Sequence, residues 1–201
     1  MGDLGGHYFD TAPSSASRPS TTRLDLPDRS LILTTDRGVF SADHVDPGTK
    51  YLLLEASAPP STGTFVDLGC GYGPIACTQA ARAPGATVWA VDVNPRALDL
   101  CRANADALGL GNVRVSEPDA VPTDLRVDLI WSNPPIRIGK PQLHALLGGW
   151  LERLSPGGRA LLVVQKHLGA DSLQRWLGEQ GWTADRRGAR SGYRLLEVSR
   201  S

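Results

Sequence analysis

From residue 64 onward the chain alternates short apolar runs with segments of helical periodicity, and this rhythm restricts the fold more than any other feature. TFVDL, ATVWAVDV, NVRV, RVDLIW and RALLVV read as strands. They are apolar nearly throughout, which marks strands covered on both faces. Between the first two, PIACTQAARA has Pro74 in its first turn. NPRALDLCRANADALG follows, with a cap at Asn94, Pro95 at N1, and Leu98, Cys101, Ala105 and Leu108 on one face; Gly109 or Gly111 ends it. Over 140–154, Leu143, Leu146, Leu147, Trp150, Leu151 and Leu154 fall at helical spacing. Leu173, Trp176 and Leu177 suggest one more short helix, before two last strands near WTADRR and YRLLEVS. Strands and helices in this order predict an α/β protein: a doubly wound, mostly parallel seven-stranded sheet of Rossmann-like type. The final two strands are linked by a few residues that include Gly188 and Gly192, as in a hairpin, so one edge strand is expected to be antiparallel. Such sheets bind ligands beyond the carboxyl ends of their strands.

Upstream, TRLDLPDRSLILTTDRGVFS alternates apolar and polar residues around PDR, predicting a short β-hairpin, and DPGTKYLLLEA leads into a helix. Residues 11–22 are rich in Ser, Thr and Pro and cannot build a core. The expected organisation is a flexible arm over 1–22 and one domain over 23–201, with hairpin and helix in 23–60 and the ligand-binding core in 61–201. At 201 residues the chain suits one domain with a real core.

No apolar run approaches the 18 residues of a membrane span, and MGDLGGHYFD lacks the features of a secretory signal. Gly6 stands where a myristoylation motif needs Ser or Thr. Cys70, Cys77 and Cys101 show no CxxC spacing, so no metal is expected, and free thiols suit a reducing cytoplasm. Charge is balanced overall, yet from 151 onward nine Arg/Lys face five Asp/Glu. That local excess suits either a solvated surface or a landing patch for a polyanion.

VDLGCGYGP closes the first core strand. Glycines at 69, 71 and 73 let the backbone turn sharply and approach a ligand closely. A dinucleotide site requires GxGxxG, but position 74 is Pro and the third glycine falls at 73. GxGxG preceded by Asp67 resembles the first motif of S-adenosylmethionine-dependent methyltransferases. Asp67, Gly69, Cys70, Gly71 and Gly73 are therefore candidate cofactor residues. Asp92, with Val93, closes the second strand 19 positions after Gly73, where a carboxylate can accept both hydroxyls of a ribose. A nicotinamide dinucleotide would use the same acid. In SEPDAVP, after the third strand, Asp119 and the Ala120 backbone are candidates for the adenine, although Pro and Asp also favour a plain turn.

The fourth strand lies beside the first in such a sheet, which brings SNPPIRIGK next to the glycine loop. Two prolines stop the strand and stiffen the bend. A conjugated amine is a poor nucleophile because its lone pair is delocalised. The Asn133 side-chain oxygen and the Pro134 carbonyl can each accept one of its N–H groups, so that nitrogen pyramidalises toward a methyl donor. Asn133 and Pro134 are thus the catalytic candidates, with Asn133 also touching the cofactor. This requires the bend to lie against Gly69–Gly73 and the amide not to be consumed by its own fold.

TDRGVFS, DPGTKYLL, VDLGCGYGPI, VDVNPRAL, SNPPIRIGK and QKHLGA together resemble the small-domain methyltransferases related to bacterial ribosomal RNA guanine-N2 methyltransferases, from about His7 to the end. The resemblance implies a class I fold, S-adenosylmethionine as donor, and N2 of a guanine in ribosomal or other structured RNA as acceptor. Larger members carry a degenerate N-terminal copy of the domain. Many amino methyltransferases have Phe or Tyr after NPP, where this chain has Ile136; Phe40 is a candidate replacement platform. Pro135, Ile136, Arg137, Lys140, Lys166 and Phe40 are the candidate substrate residues, with His167, Arg186, Arg187, Arg190 and Arg194 as further members of a basic track. Thr49 either approaches the cofactor, as the resemblance implies, or caps a helix. The alternatives are methylation of a protein glutamine amide and a cofactor-binding assembly subunit without turnover; a dinucleotide oxidoreductase ranks last.

Overall fold

The computed structural model describes residues 16–41 and 44–201. An antiparallel hairpin comes first, β1 (Ser20–Leu26) paired with β2 (Arg29–Thr35). Its alternation is the expected one: Leu24, Leu26, Leu31 and Leu33 point inward. Most of the arm expected over 1–22 lies outside the described residues, but residues 20–22 belong to β1. Ser17 Oγ and the Arg18 amide also donate to Asp36, at 2.7 and 2.5 Å. The hairpin thus starts before the expected boundary at 23. Helix α1 (Pro47–Glu55) follows, with Pro47 in its first turn and Asp46 as its cap.

The core then runs β3 (Thr62–Leu68), α2 (Pro74–Arg82), β4 (Gly85–Val91), α3 (Pro95–Ala107), β5 (Val113–Ser116), β6 (Val127–Ser132), α4 (Lys140–Leu151), β7 (Leu154–Gln165), α5 (Ala170–Glu179), β8 (Trp182–Arg190) and β9 (Tyr193–Arg200). Leu154, expected to close α4, instead opens β7, and the SPGG stretch is absorbed into that strand as an irregularity in its pairing with β6. The seven strands stand in the order β5-β4-β3-β6-β7-β9-β8. The antiparallel strand is β9, one place in from the edge, between β7 and β8. Chain direction across the sheet reverses between β3 and β6. Their carboxyl ends therefore flank the crevice where doubly wound sheets hold ligands.

Alternation along the buried strands feeds two cores. Phe65, Leu129, Trp131, Leu161 and Val163 face α1, α2, α3 and the hairpin. Val66, Ile130, Leu162 and Val164 face α4 and α5, against Leu143, Leu147, Trp150, Leu173 and Leu177. Among the described residues, no helix is long and apolar enough to cross a membrane.

One buried polar side chain fastens the hairpin to the crevice. Asn104, in α3, accepts from the Thr34 amide at 2.7 Å and donates to the carbonyls of Thr34 and Tyr72, each at 2.8 Å. Its amide thus ties β2 to the glycine loop. Asn104→Ala leaves those groups unpaired, at about 1–3 kcal/mol per buried group. The expected outcome is a fall of at least about 4 °C in melting temperature, read by calorimetry, since 1 kcal/mol moves a domain of this size by about 2–4 °C.

Candidate active site

After β3 the chain turns through Gly69, Gly71 and Gly73, all at positive φ. A Cβ at Gly73 would lie 2.7 Å from Cys101 Sγ, so its absence lets α2 start directly against α3. At Gly71 the reason differs. A Cβ there would meet nothing within 4 Å, so the backbone borders open space that a ligand can enter. Gly69 and Cys70 N–H both donate to the Val91 carbonyl (2.8 and 3.0 Å), and Gly71 N–H donates to Asp92 Oδ2 (2.9 Å). The glycine loop is strapped to the end of β4 by these three bonds.

On one side of the loop lies a cavity of about 320 Å³ whose walls include Gly69, Asp92, Val93, Pro118 and Pro135. Apolar walls with one carboxylate suit a nucleoside, the base on the walls and the ribose on the acid. Asp92 also holds its own fold, since Oδ1 accepts from Asn94 N–H at 3.0 Å. Burial raises its pKa above the usual carboxylate range, against the lowering effect of the Asn94, Gly71 and Val93 N–H groups. Of the 118–120 turn only Pro118 borders the cavity; Asp119 and Ala120 are exposed and stand outside its walls.

Asp67 lines neither this cavity nor the cleft beside Asn133. It is fully buried, and its Oδ2 accepts from Ala76 N–H at 2.8 Å, fixing the start of α2 to β3. In this geometry it holds the glycine loop between β3 and α2. Burial pushes its pKa up to about 8, with Asp92 adding to the rise. The folded chain therefore holds a proton that the unfolded chain releases near pH 4. Asp67 thus stabilises the fold at low pH, and this contribution fades as pH climbs from about 4 to 8. Asp67→Asn is expected to flatten the fall of the urea midpoint with pH between 5 and 8, leaving the share of Asp92, which has the same sign, and that of His144, whose lowered pKa gives the opposite sign.

On the other side of the loop a cleft of about 20 Å³ is bordered by Phe40, Asp46, Gly69, Gly71, Tyr72 and Asn133. Cys70 also borders it, a neutral thiol whose pKa burial and the neighbouring Cys101 raise well above the ordinary value. Ser132 Oγ, at the end of β6, donates to the Leu68 carbonyl at 2.6 Å and locks the two strand ends together. Asn133 comes next, and then Pro135 at φ −73°, ψ 74°, the centre of an inverse γ-turn closed by Ile136 N–H on the Pro134 carbonyl at 2.8 Å. That bond occupies one acceptor position of the Pro134 carbonyl and leaves the other.

The Asn133 amide is half committed. Its Nδ2 donates to Asp46 Oδ2 at 2.8 Å and to Thr49 Oγ1 at 3.1 Å. Its oxygen has no partner among the described residues. Asp46 Oδ2 also accepts from Thr49 N–H at 3.0 Å, so one carboxylate caps α1 and orients the amide together. Thr49 caps nothing; it accepts from the amide and borders the cleft. Gly48 makes this possible, because a Cβ there would collide with Tyr193 at 2.5 Å and with Asp46 Oδ2 at 2.9 Å. Sequence reasoning missed Asp46, whose only visible signal was that of a helix cap before proline.

Two candidates stand elsewhere than expected. Ile136 is turned from the Asn133 cleft into a third cavity of about 130 Å³, so nothing in the cleft stacks on the residue after NPP. Phe40 does border the cleft, 51% exposed, on a loop pinned by Asn94 Nδ2 to the Gly38 carbonyl and by Arg96 to the Arg37 carbonyl. Arg137, Lys140, Lys166 and His167 are exposed at the carboxyl edge of the sheet. The longer basic track breaks up. Arg194 is buried and paired with Asp171, and Arg187 lies 3.9 Å from Glu197. A bulge between Arg186 and Gly188 sends Arg186 to the α5 face and Arg190 to the α1 face.

A doubly wound sheet with a glycine loop on its first core strand, an acid closing the second and an NPP bend on the fourth defines a class I methyltransferase. Residues 30–196 match the model of the methyltransferase small domain; the chain belongs to that family, and S-adenosylmethionine is its cofactor. It is 36% identical to the uncharacterized protein YbxB of Bacillus subtilis (strain 168), over 86% of this chain and 88% of that protein. It is 32% identical to ribosomal RNA small subunit methyltransferase C of Shewanella halifaxensis, over 83% of this chain but 50% of that protein. Among solved structures it resembles the T. Thermophilus 16S rRNA N2 G1207 methyltransferase (RsmC) in complex with AdoMet and guanosine. The TM-score is 0.74 at 22% identity, covering 92% of this chain and 52% of that one. The chain thus spans about half the length of these ribosomal RNA methyltransferases.

Proposed function

We propose that the chain methylates N2 of a guanine in ribosomal or other structured RNA. The observation that carries the reading is the Asn133 amide: its NH2 is turned into Asp46 and Thr49, its oxygen has no partner among the described residues, and the residue borders a cleft that shares Gly69 with the cofactor cavity. S-adenosylmethionine, when bound, supplies an activated methyl group. Gly69, Gly71, Asp92 and Val93 are the residues to hold it, Asp92 by the ribose hydroxyls. Asn133 Oδ1 and the remaining lone pair of the Pro134 carbonyl accept the two N–H bonds of the acceptor amine. That arrangement favours a pyramidal nitrogen and stabilises the positive charge it acquires. Asp46 strengthens the effect, since a carboxylate on the NH2 side polarises the amide toward its oxygen. The methylated ammonium releases its extra proton to water, so no strong base is required. Phe40 offers its ring to one face of the guanine. Arg137, Lys140 and Lys166 supply charge for the phosphates.

The test is transfer from labelled S-adenosylmethionine onto RNA from cells lacking this protein, followed by nucleoside analysis. Labelled N2-methylguanosine supports the reading. Label confined to protein glutamine, or absent from both, overturns it.

A further inference from the structure

The Asn133 cleft has room for little more than one water molecule, at about 20 Å³. A guanine presented there is gripped at its edge, with Phe40 against one face, and binding must also draw on contacts away from the reacting nitrogen. The third cavity, about 130 Å³, adjoins the same bend. Ile136, two residues beyond Pro134, forms one wall, and Leu168, 41% exposed on the far lip, forms another. Two aliphatic walls make a slot fit for a flat ring. Its polar edge comes from His144 and Ser172, with Lys140 at its mouth. His144 is stacked on Trp176 (ring centroids 3.9 Å apart, 10° between planes), which fixes its ring and joins α4 to α5 at the slot. Burial, then the charge of Lys140, lowers its pKa, so at neutral pH it presents an uncharged hydrogen-bonding edge. Outside stand Arg137, Lys140 and Lys166, none with an acidic partner among the described residues.

We infer that this cavity takes the base of the nucleotide adjoining the target guanosine in the RNA strand, with the intervening phosphate on Lys140 and its neighbouring cations. The inference rests on the RNA reading above and adds a second base contact to it. Apolar walls, a neutral polar edge and an outer ring of unpaired cations are the three parts a nucleotide presents: ring faces, ring edge and phosphodiester. An acidic peptide would use the cations but leave the slot empty.

The experiment uses an RNA oligonucleotide that the chain methylates, in intact form and with an abasic residue immediately 5′ or 3′ of the target. Losing the flanking base should raise KM about tenfold for the wild-type chain at one of the two positions. Ser172→Phe fills the slot. It should raise KM for intact RNA by a similar factor, with S-adenosylmethionine affinity unchanged, and should respond little to the abasic substitution. His144→Ala, which leaves the walls in place, serves should the first variant fail to fold, with a smaller rise in KM expected. Equal sensitivity of variant and wild type to the abasic residue overturns the inference alone. Failure to find any RNA that accepts a methyl group from the wild-type chain overturns the RNA reading and the inference with it.

Discussion

Asn133→Ala should lower methyl transfer by about 10²–10³-fold, the usual cost of removing one preorganised group that stabilises developing charge. S-adenosylmethionine affinity, measured by calorimetry, should change little, because the cofactor cavity is bordered by the ends of β3 and β4, Gly69, the Pro118 turn, Pro135 and α4 but not by Asn133. A loss of both in equal measure would make Asn133 a structural residue only. Asn133→Asp is the more discriminating variant. It places a carboxylate against Asp46 Oδ2, where the native amide nitrogen sits at 2.8 Å, so two acids would share one site. Activity and stability should both fall. Adding Asp46→Asn reverses donor and acceptor, recreating the hydrogen bond with an oxygen still facing the cleft. Partial recovery of transfer by the double variant, with neither single variant active, is the expected signature of an oriented acceptor.

Asp92→Ala should weaken S-adenosylmethionine binding by at least about 100-fold. Two hydrogen bonds to a charged acceptor are lost at roughly 1.5–3 kcal/mol each, and 1.4 kcal/mol is tenfold. The loop also loses its anchor, since Gly71 N–H donates to this carboxylate. Asp92→Asn separates the two contributions. It keeps an acceptor for Gly71 while losing the charge, and should fall between wild type and Ala. Unchanged affinity in Asp92→Ala would mean that the ribose lies elsewhere.

The sheet was legible because its strands are apolar on both sides, a pattern that sequence records directly. The position of β9 was not, since a hairpin link is equally compatible with the antiparallel strand at the edge or one place in. The glycine loop, Asp92 and the NPP bend were readable as local motifs. What they touch was only partly so. Asp67 sits in the motif yet serves the start of α2, because the first-turn N–H groups of that helix lie beneath it. Ile136 leaves the reacting cleft just after the γ-turn at Pro135, a matter of ψ that no spacing reveals. Asp46 and Thr49 reach Asn133 across 87 and 84 residues of chain. Contacts of that separation follow from the packing of α1 on the sheet, and two consecutive motifs in the sequence carry no sign of them. The basic track failed for a similar reason, as one bulged residue in β8 reassigns faces.

The orientation of the Asn133 amide toward a guanine amine can be seen directly. A crystal structure of the chain with guanosine and the demethylated cofactor should place N2 about 2.7–3.2 Å from Asn133 Oδ1, with Nδ2 still on Asp46 and Thr49. Guanosine bound away from that oxygen, or an amide turned so that its nitrogen faces the base, would contradict the account.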